Sequence, residues 1–285
     1  MADGMLRLVY QPKLCLASDD VTAVEALSRW PQESYGFIPP TLFVPLAERR
    51  GLIDRLTFWV IETALTQWLQ WQDQGLFLNI AINISAVNLD HSDFPDRVHN
   101  LCVQRGVPCE FLTIELTESA TQQPERLMES ITRFRLKGFA VSLDDFGTGN
   151  ATLAQLQRLP FSEIKIDRCF VSEAVRSADA RSIIELVVAL ARQLGLSVTA
   201  EGIEDETTLD LIRRLGCDKA QGFYVGRPMS GEAMLDWHAQ RYPRAPAQGA
   251  IRPVRPADVS PHRRQCHDSG DADARQAIER DDAAM

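Results

Sequence analysis

The sequence predicts an α/β fold, a (β/α)8 barrel of the TIM type with one antiparallel strand near its amino terminus. Short apolar runs alternate with longer stretches of helical period, which is typical of a mainly parallel sheet. Eight such runs within about 225 residues match the usual size of this barrel. The runs are Leu6–Tyr10, Val21–Leu27, Leu78–Ile84, Leu112–Leu116, Ala140–Leu143, Glu163–Ile166, Leu196–Ala200 and Ala220–Val225.

The first two runs predict a hairpin. Only about ten residues separate them, and Ala17–Asp20 has the composition of a turn. Because a parallel connection needs a longer crossover, we expect the first strand to run against its neighbours. Helical periodicity follows over Leu52–Trp71, Glu125–Lys137, Arg181–Leu194 and Thr207–Leu215, and glycines at 75, 106, 138, 195 and 216 stand at helix ends.

The composition changes near residue 241, which divides the chain into two parts. Residues 1–241 are expected to form the barrel domain. Residues 242–285 are rich in Pro, Arg and Asp and poor in large apolar groups, so we expect a disordered tail. Its mixed charges favour a solvated extension over an interaction segment that binds through its arginines.

Charge and cysteine usage restrict the classes of function. The net charge of −9 argues against a binder of nucleic-acid polymers or anionic membranes. Six scattered cysteines without a C-x-x-C pair indicate reduced thiols and a cytoplasmic protein. We find neither a signal segment nor an apolar run long enough to be a membrane segment.

Polar side chains stand where the predicted strands end. Because the carboxyl ends of parallel strands meet at one mouth of a barrel, we expect these side chains to converge there. With Glu25 of the second strand, they are Asn83, Glu115, Asp144, Asp145, Lys165, Glu201 and Gln221. Each has a simpler alternative as a helix cap or an ion-pair partner: Asn83 can cap the turn at Ser85, and Glu201 can pair with Lys165.

The convergence of so many carboxylates predicts a metal centre. Burying them together is prohibitive unless cations neutralise them, and Lys165 offsets only one charge. Ligands with oxygen alone indicate hard ions such as Mg²⁺, Mn²⁺ or Ca²⁺. The adjacent pair Asp144–Asp145 favours two ions acting on a phosphoryl group. Gly147 and Gly149 follow this pair and predict a mobile loop over the substrate.

Nine segments in order resemble the EAL domain family of cyclic-di-GMP phosphodiesterases, from about Leu6 to Met229. They are YQP at Tyr10–Pro12, EALSRW at Glu25–Trp30, FVPLAERRGLI, NISA at Asn83–Ala86, ELTES at Glu115–Ser119, DDFGTG at Asp144–Gly149, KIDR at Lys165–Arg168, AEGIE at Ala200–Glu204 and QGFYVGRP at Gln221–Pro228. The resemblance implies that Mg²⁺ or Mn²⁺, as two ions, supports hydrolysis of one phosphodiester of cyclic-di-GMP to linear pGpG. Ca²⁺ is expected to bind without supporting activity.

The resemblance also implies roles for individual residues. The ligands of the first metal are expected to be Glu25, Asn83, Glu115 and Asp144. Asp145 is expected to bind the second metal, and Asp144 to bind both. Lys165 orients the nucleophilic water, and Glu201 acts as a general base or as an indirect partner of metal and water. Gln11, Arg29 and Gln221 contact substrate, Glu118 anchors the loop after Asp145, and Asp167 and Glu204 support the site.

Three departures from the family pattern stand out. Asn150-Ala151-Thr152 replaces the usual Tyr-Ser-Ser after DDFGTG, which affects loop closure, dimer coupling or rate. The usual preceding helical segment is short. A sensory, receiver or GGDEF-like domain does not accompany the barrel, so we expect either a fragment of a longer parent or a stand-alone domain. A homodimer is expected from the resemblance.

Two other functions compete with an active cyclic-di-GMP phosphodiesterase. One is an impaired receptor for the nucleotide or for a protein, and the other is a different metal-dependent phosphodiesterase. The full set of carboxylates and Lys165 favours catalysis over a receptor.

Overall fold

The computed structural model describes residues 6–32, 36–118, 120, 124–147 and 153–242. The strands in these ranges are β1 (Arg7–Cys15), β2 (Val21–Gln32), β3 (Gly36–Ile38), β4 (Asn79–Asn83), β5 (Leu112–Thr117), β6 (Ala140–Phe146), β7 (Glu163–Ile166), β8 (Ser197–Ala200) and β9 (Lys219–Gln221). The α-helices are α1 (Pro40–Arg49), α2 (Ile53–Asp73), α3 (Phe94–Arg105), α4 (Pro124–Leu136), α5 (Leu153–Arg158), α6 (Arg168–Glu173), α7 (Ala178–Leu194), α8 (Glu206–Leu215) and α9 (Gly231–Arg241). Two 3-10 turns span Ala86–Asp90 and Cys109–Phe111.

The predicted barrel and its reversed strand are confirmed. The sheet runs β1-β9-β8-β7-β6-β5-β4-β2, and β2 pairs back with β1 to close it. Strand β1 is antiparallel to both β2 and β9, whereas the successive pairs from β2 round to β9 are parallel. The short strand β3 pairs antiparallel with the last residues of β2, Trp30–Gln32. All parallel strands therefore present their carboxyl ends at the same mouth.

Helix α2 shows how the helices cover the barrel. Its stripe of buried residues includes Trp68 and Trp71, which are almost wholly shielded from solvent. The Trp71 indole packs edge-on against Tyr10 of β1 and donates to the Gly231 carbonyl at 2.9 Å. Burial of such large apolar surfaces drives folding, and the indole donor is satisfied rather than stranded.

A charged network lies inside the barrel, below the mouth. We call Lys13, Glu163, Thr199 and Lys219 the floor network. Glu163 accepts from Lys219 Nζ at 2.5 Å and from Thr199 Oγ1 at 2.9 Å, and Lys13 Nζ lies 4.0 Å from its Oε1. Burial acts to raise the pKa of Glu163, but these partners prevail and lower it to about 2. The ionised form of Glu163 is therefore stabilised by folding.

Glu163→Gln is expected to lower the free energy of unfolding and to weaken the dependence of that free energy on pH. The folded pKa of about 2 lies below the ordinary 4.5, so the contribution of Glu163 is complete above pH 4.5 and is lost as the pH falls towards 2. A difference of this size corresponds to roughly 3 kcal/mol. Urea unfolding from pH 6 to pH 3 should show the gap between wild type and Glu163→Gln narrowing with acid.

Thr199→Val provides the matched control. It removes one hydrogen bond to Glu163, worth about 1 kcal/mol, and keeps the charges. Thr199 contributes only part of the lowering of the Glu163 pKa, so the gap of Thr199→Val to wild type should be smaller and should narrow less over the same range. A gap for Glu163→Gln that does not narrow with acid would contradict the ionised state assigned to this buried carboxyl.

Residues 243–285, which hold nearly all of the predicted tail, lie outside the described residues. Within the described ranges, no helix combines the length and the apolar character that crossing a bilayer requires.

Candidate active site

The acidic side chains predicted from the strand ends meet at the mouth of the barrel. Glu25 lies on β2, Glu115 on β5 and Asp144 on β6, and each is less than a tenth exposed. Lys165 lies on β7, and Glu201 follows β8 directly. Their side chains converge although the strands are staggered: Glu115 pairs with Ser142, two residues before Asp144.

Lys165 stands at the centre of the cluster and is 1% exposed. Its Nζ lies 2.6 Å from Glu201 Oε1, 3.0 Å from Asp144 Oδ1, 3.2 Å from Glu115 Oε2 and 3.7 Å from Glu25 Oε2. The alternative reading of Glu201 as an ion-pair partner of Lys165 therefore describes a real contact. Three further carboxylates share the same ammonium, so the pair is part of a larger cluster.

Three amide side chains surround Glu25. Asn83 Nδ2 donates to Glu25 Oε1 at 2.7 Å, and Gln221 Nε2 donates to Glu25 Oε2 at 2.7 Å. Gln221 also lies 3.4 Å from Gln11 Oε1, and Gln11 donates to the Gly226 carbonyl at 3.3 Å. Both oxygens of Glu25 are thus held in place by amides from other strands, Asn83 on β4 and Gln221 on β9.

The backbone after Asp144 turns sharply. Asp145 has a φ of 57°, in the left-handed region that non-glycine residues seldom adopt, and its amide donates to Asp144 Oδ1 at 2.9 Å. Such local strain is often found at functional sites. Because of this backbone conformation, the side chains of Asp144 and Asp145 lie next to each other in the mouth.

Glu118 contacts the segment that follows this turn. It is 2% exposed, and its Oε2 accepts from the Gly147 amide at 3.1 Å. Gly147 has a φ of 103°, and a Cβ there would lie 2.6 Å from the Phe170 ring, so only glycine fits. Gly149 and the Asn150-Ala151-Thr152 departure lie outside the described residues.

The cluster carries an excess of negative charge. The carboxylates of Glu25, Glu115, Asp144, Asp145 and Glu201 face the ammonium groups of Lys165 and Lys13, which leaves −3 when all seven are ionised.

The pKa values respond to this excess. Burial raises the pKa of Glu115 to about 7 against the opposing effect of Lys13 and Lys165, and burial also raises the pKa of Glu201. For Glu25 the lysines and amide donors outweigh burial and lower its pKa. Some carboxyls therefore hold protons near neutral pH until another cation replaces them.

The donor set fits hard divalent cations. Oxygens of Glu25, Glu115 and Asp144 lie within 4.8 Å of one another, as do oxygens of Asp144, Asp145 and Glu201, so Asp144 belongs to both groups. The buried Gln221 Oε1 accepts no hydrogen bond from the described residues. Oxygen ligands in two adjoining groups, with one shared carboxylate, suit Mg²⁺ or Mn²⁺.

The remaining predicted residues lie around this centre. Arg29 lies beyond Glu25 on the same face of β2, half-buried, with its guanidinium 5.8 Å from the Phe37 ring. Asp167 caps α6, because its Oδ1 accepts from the Cys169 amide at 2.9 Å. Glu204 is exposed on the loop after β8.

Lys13 was not among the predicted residues. Its Nζ donates to Glu115 Oε1 at 2.5 Å, and its side chain is 2% exposed. The alternation of side chains along a strand could have indicated Lys13. It lies two residues after Gln11, a spacing that places both side chains on the inner face of one strand. A lysine in an apolar run on the same face as a site residue is a candidate partner for a buried carboxylate.

A closed barrel with a lysine-centred acidic cluster at its carboxyl-terminal mouth has the form of an enzyme active site. A family model described as "EAL domain" matches residues 1–228. The chain belongs to the EAL domain family.

Two curated relatives illustrate the likeness. The bifunctional diguanylate cyclase/cyclic di-GMP phosphodiesterase MucR of Pseudomonas aeruginosa is 40% identical over 232 residues, which cover 81% of this chain and 34% of MucR. The cyclic di-GMP phosphodiesterase NbdA of the same organism is 35% identical over 249 residues, which cover 86% of this chain and 32% of NbdA. The chain spans about a third of the length of the curated relatives it matches.

Solved structures share the fold. A PaMucR phosphodiesterase structure, described as a c-di-GMP complex, has a TM-score of 0.76 and 39% identity, and the match covers 81% of this chain and 94% of that chain. The EAL domain of Mycobacterium smegmatis DcpA has a TM-score of 0.71 and 31% identity, with 86% of this chain and all of that chain covered.

Proposed function

We propose that this chain hydrolyses one phosphodiester bond of cyclic-di-GMP to linear pGpG with the help of divalent metal ions. The observation that carries the proposal is the cluster of carboxylates around Lys165 at the mouth. The names of MucR and NbdA as cyclic di-GMP phosphodiesterases support the substrate, and the c-di-GMP complex of the PaMucR neighbour supports binding of the nucleotide.

The metal-binding roles follow the two groups of oxygens. Glu25, Asn83, Glu115 and Asp144 would hold the first ion, and Asp145 would hold the second with Asp144 shared between them. When bound, Mg²⁺ or Mn²⁺ supplies a nucleophilic water and neutralises charge on the phosphate. Two divalent ions would also more than offset the charge of −3 on the cluster.

Lys165 and Glu201 act on the attacking water. The Lys165 ammonium is held among four carboxylates, so it keeps its charge in a buried place and can orient the water and stabilise charge that develops on the phosphoryl oxygens. Glu201, 2.6 Å from Lys165 and with a raised pKa, is suited to accept a proton from the water or to hold that water indirectly.

The rim residues would position the nucleotide. Arg29 offers a guanidinium fork to a phosphate, and Gln11 and Gln221 offer amide groups beside Glu25. Glu118 would anchor the loop after Asp145 through its bond to Gly147. Asp167 would support the site as the cap of α6. Glu204 would support it from the loop after β8.

The resemblance to the family, rather than any contact, supports a homodimer and a longer parent with a sensory or GGDEF-like domain. The partial coverage of the relatives agrees with such a parent.

A cyclic-di-GMP hydrolysis assay with product identification tests the proposal. With Mg²⁺ or Mn²⁺ the purified chain should yield pGpG, and chelator should stop the reaction. Ca²⁺ should bind without supporting turnover, because it favours more ligands in a looser arrangement than Mg²⁺ does. Equal turnover with Ca²⁺ would contradict this metal centre.

The same assay separates the alternatives. Tight binding of cyclic-di-GMP with no product after long incubation would identify a receptor. Hydrolysis of other phosphodiesters in preference to cyclic-di-GMP would identify a different phosphodiesterase.

A further inference from the structure

Lys13 joins the floor network to the acidic cluster. It lies on the reversed strand β1, where its register partners are Ala23 of β2 and Gln221 of β9. Its side chain is 2% exposed, so the ammonium has left water and depends on protein partners. Those partners are Glu115 above and Glu163 below, at 2.5 Å and 4.0 Å.

The two oxygens of Glu115 have different partners. Oε1 accepts from Lys13 Nζ at 2.5 Å, and Oε2 accepts from Lys165 Nζ at 3.2 Å. Glu115 is fully buried, so solvent does not compete for either oxygen. Lys13 thereby fixes the rotation of the carboxylate and turns Oε2 towards the cluster.

Charges alternate along this line of contacts. Lys219 binds Glu163, Glu163 lies beside Lys13, Lys13 binds Glu115, and Glu115 contacts Lys165. Lys13 is therefore held from below as well as from above. A side chain restrained on both sides has little freedom to follow Glu115 if that carboxylate moves.

We propose that Lys13 is a positioning residue for the metal centre: it binds Glu115 Oε1 and so presents Oε2 as a single-oxygen ligand. This inference rests on the proposed function. Groups that orient a ligand from behind typically change metal affinity by roughly 10–100-fold when they are removed.

Two physical effects of Lys13 on a divalent ion have opposite signs. Its positive charge repels the ion, whereas its bond to Glu115 preorganises a ligand for it. Removing Lys13 would tighten metal binding if repulsion dominated and weaken it if orientation dominated. The short, buried contact to a single oxygen favours orientation, so the direction of the change tests the inference.

The experiment is calorimetric titration of the full chain with Mn²⁺ alone, without nucleotide. Lys13→Met is expected to bind Mn²⁺ roughly 10–100-fold more weakly than wild type. In the hydrolysis assay, saturating Mn²⁺ should restore most of its kcat, because the defect is in ligand placement. A loss of core packing alone would not produce this separation between the Mn²⁺ requirement and kcat.

Lys219→Met is the matched control, because it removes the other floor lysine, which contacts Glu163 and not Glu115. It should keep Mn²⁺ affinity within about threefold of wild type. Thermal unfolding establishes that each variant is folded at the titration temperature. If Lys13→Met does not fold, Lys13→Gln, whose shorter amide falls short of Glu115, carries the same expectation with a smaller loss.

The outcomes are distinct. Unchanged or tighter Mn²⁺ binding by a folded Lys13 variant overturns the positioning role and leaves the proposed function intact. An equal loss in Lys219→Met also overturns it, because the effect would then belong to the whole floor network. Failure of wild type to bind Mn²⁺ would overturn the proposed function together with this inference.

Discussion

Glu25→Ala will reduce turnover of cyclic-di-GMP by at least about a thousandfold, or roughly 4 kcal/mol in the activation barrier. Glu25 supplies oxygens to the first group of proposed ligands, and its carboxylate is held by Asn83 and Gln221 at 2.7 Å each. Its removal deletes one ligand and frees two amides that had been fixed by it. Steady-state kinetics with saturating Mn²⁺ measure the loss.

Two variants sharpen this experiment. Glu25→Gln keeps the volume of the side chain and removes its charge, so it should be nearly as inactive. Glu62→Gln neutralises an exposed carboxylate on the outer helix α2, away from the cluster, and should retain turnover within about twofold. Undiminished turnover by Glu25→Ala would remove this residue from the metal centre.

Lys165→Met will lower kcat by roughly 10²–10³-fold while Mn²⁺ binding is kept or strengthened. The ammonium lies 3.0 Å from Asp144 Oδ1 and 3.2 Å from Glu115 Oε2, so it competes with a cation for the same oxygens. Without it the carboxylates repel one another in the metal-free protein, and they gain more from an added ion. Kinetics and calorimetric titration with Mn²⁺ separate these effects.

The calorimetric titration with Mn²⁺ is informative because Lys165 and Lys13 differ in position. Lys165 stands among the proposed ligands, whereas Lys13 holds one of them from below. We therefore expect opposite changes in Mn²⁺ affinity from the two lysine-to-methionine substitutions. Loss of both activity and Mn²⁺ binding in Lys165→Met would mean that this lysine mainly maintains the arrangement of the carboxylates.

The barrel could be predicted from the sequence because its strands are buried on both faces and its helices are amphipathic. The ends of the strands and helices were harder to predict. Strand β1 continues to Cys15, although its apolar run stops at Tyr10, because the inward polar groups Gln11 and Lys13 find buried partners. Such compensation depends on residues far away in the chain.

Two other differences separate the structure from the prediction, and close packing explains the first. The run Ala220–Val225 forms a strand only over Lys219–Gln221, because the chain turns at Gly222, where a Cβ would lie 2.1 Å from the Ile203 carbonyl. Helix α1 was not predicted, and it contains Pro45, which normally argues against a helix interior.

The acidic cluster was accessible from the sequence for a different reason. Strand-end positions are fixed by topology, so Glu115, Asp144 and Lys165 converge once the barrel is assumed. The orientation of each carboxylate depends on its partners, and the sequence does not display them. The division of Glu115 between Lys13 and Lys165 therefore emerged only from the structure.

The pairing of β1 with β9 has a consequence for synthesis on the ribosome. The bond from Gln221 to Glu25 joins residues 196 positions apart, and β1 closes the ring only when β9 is available. Until then a nascent chain carries an unclosed sheet whose terminal strands lack partners, a state prone to mispairing. Contacts so distant in sequence also form slowly. The growing chain thus stays without its candidate active site until nearly the whole domain has been translated.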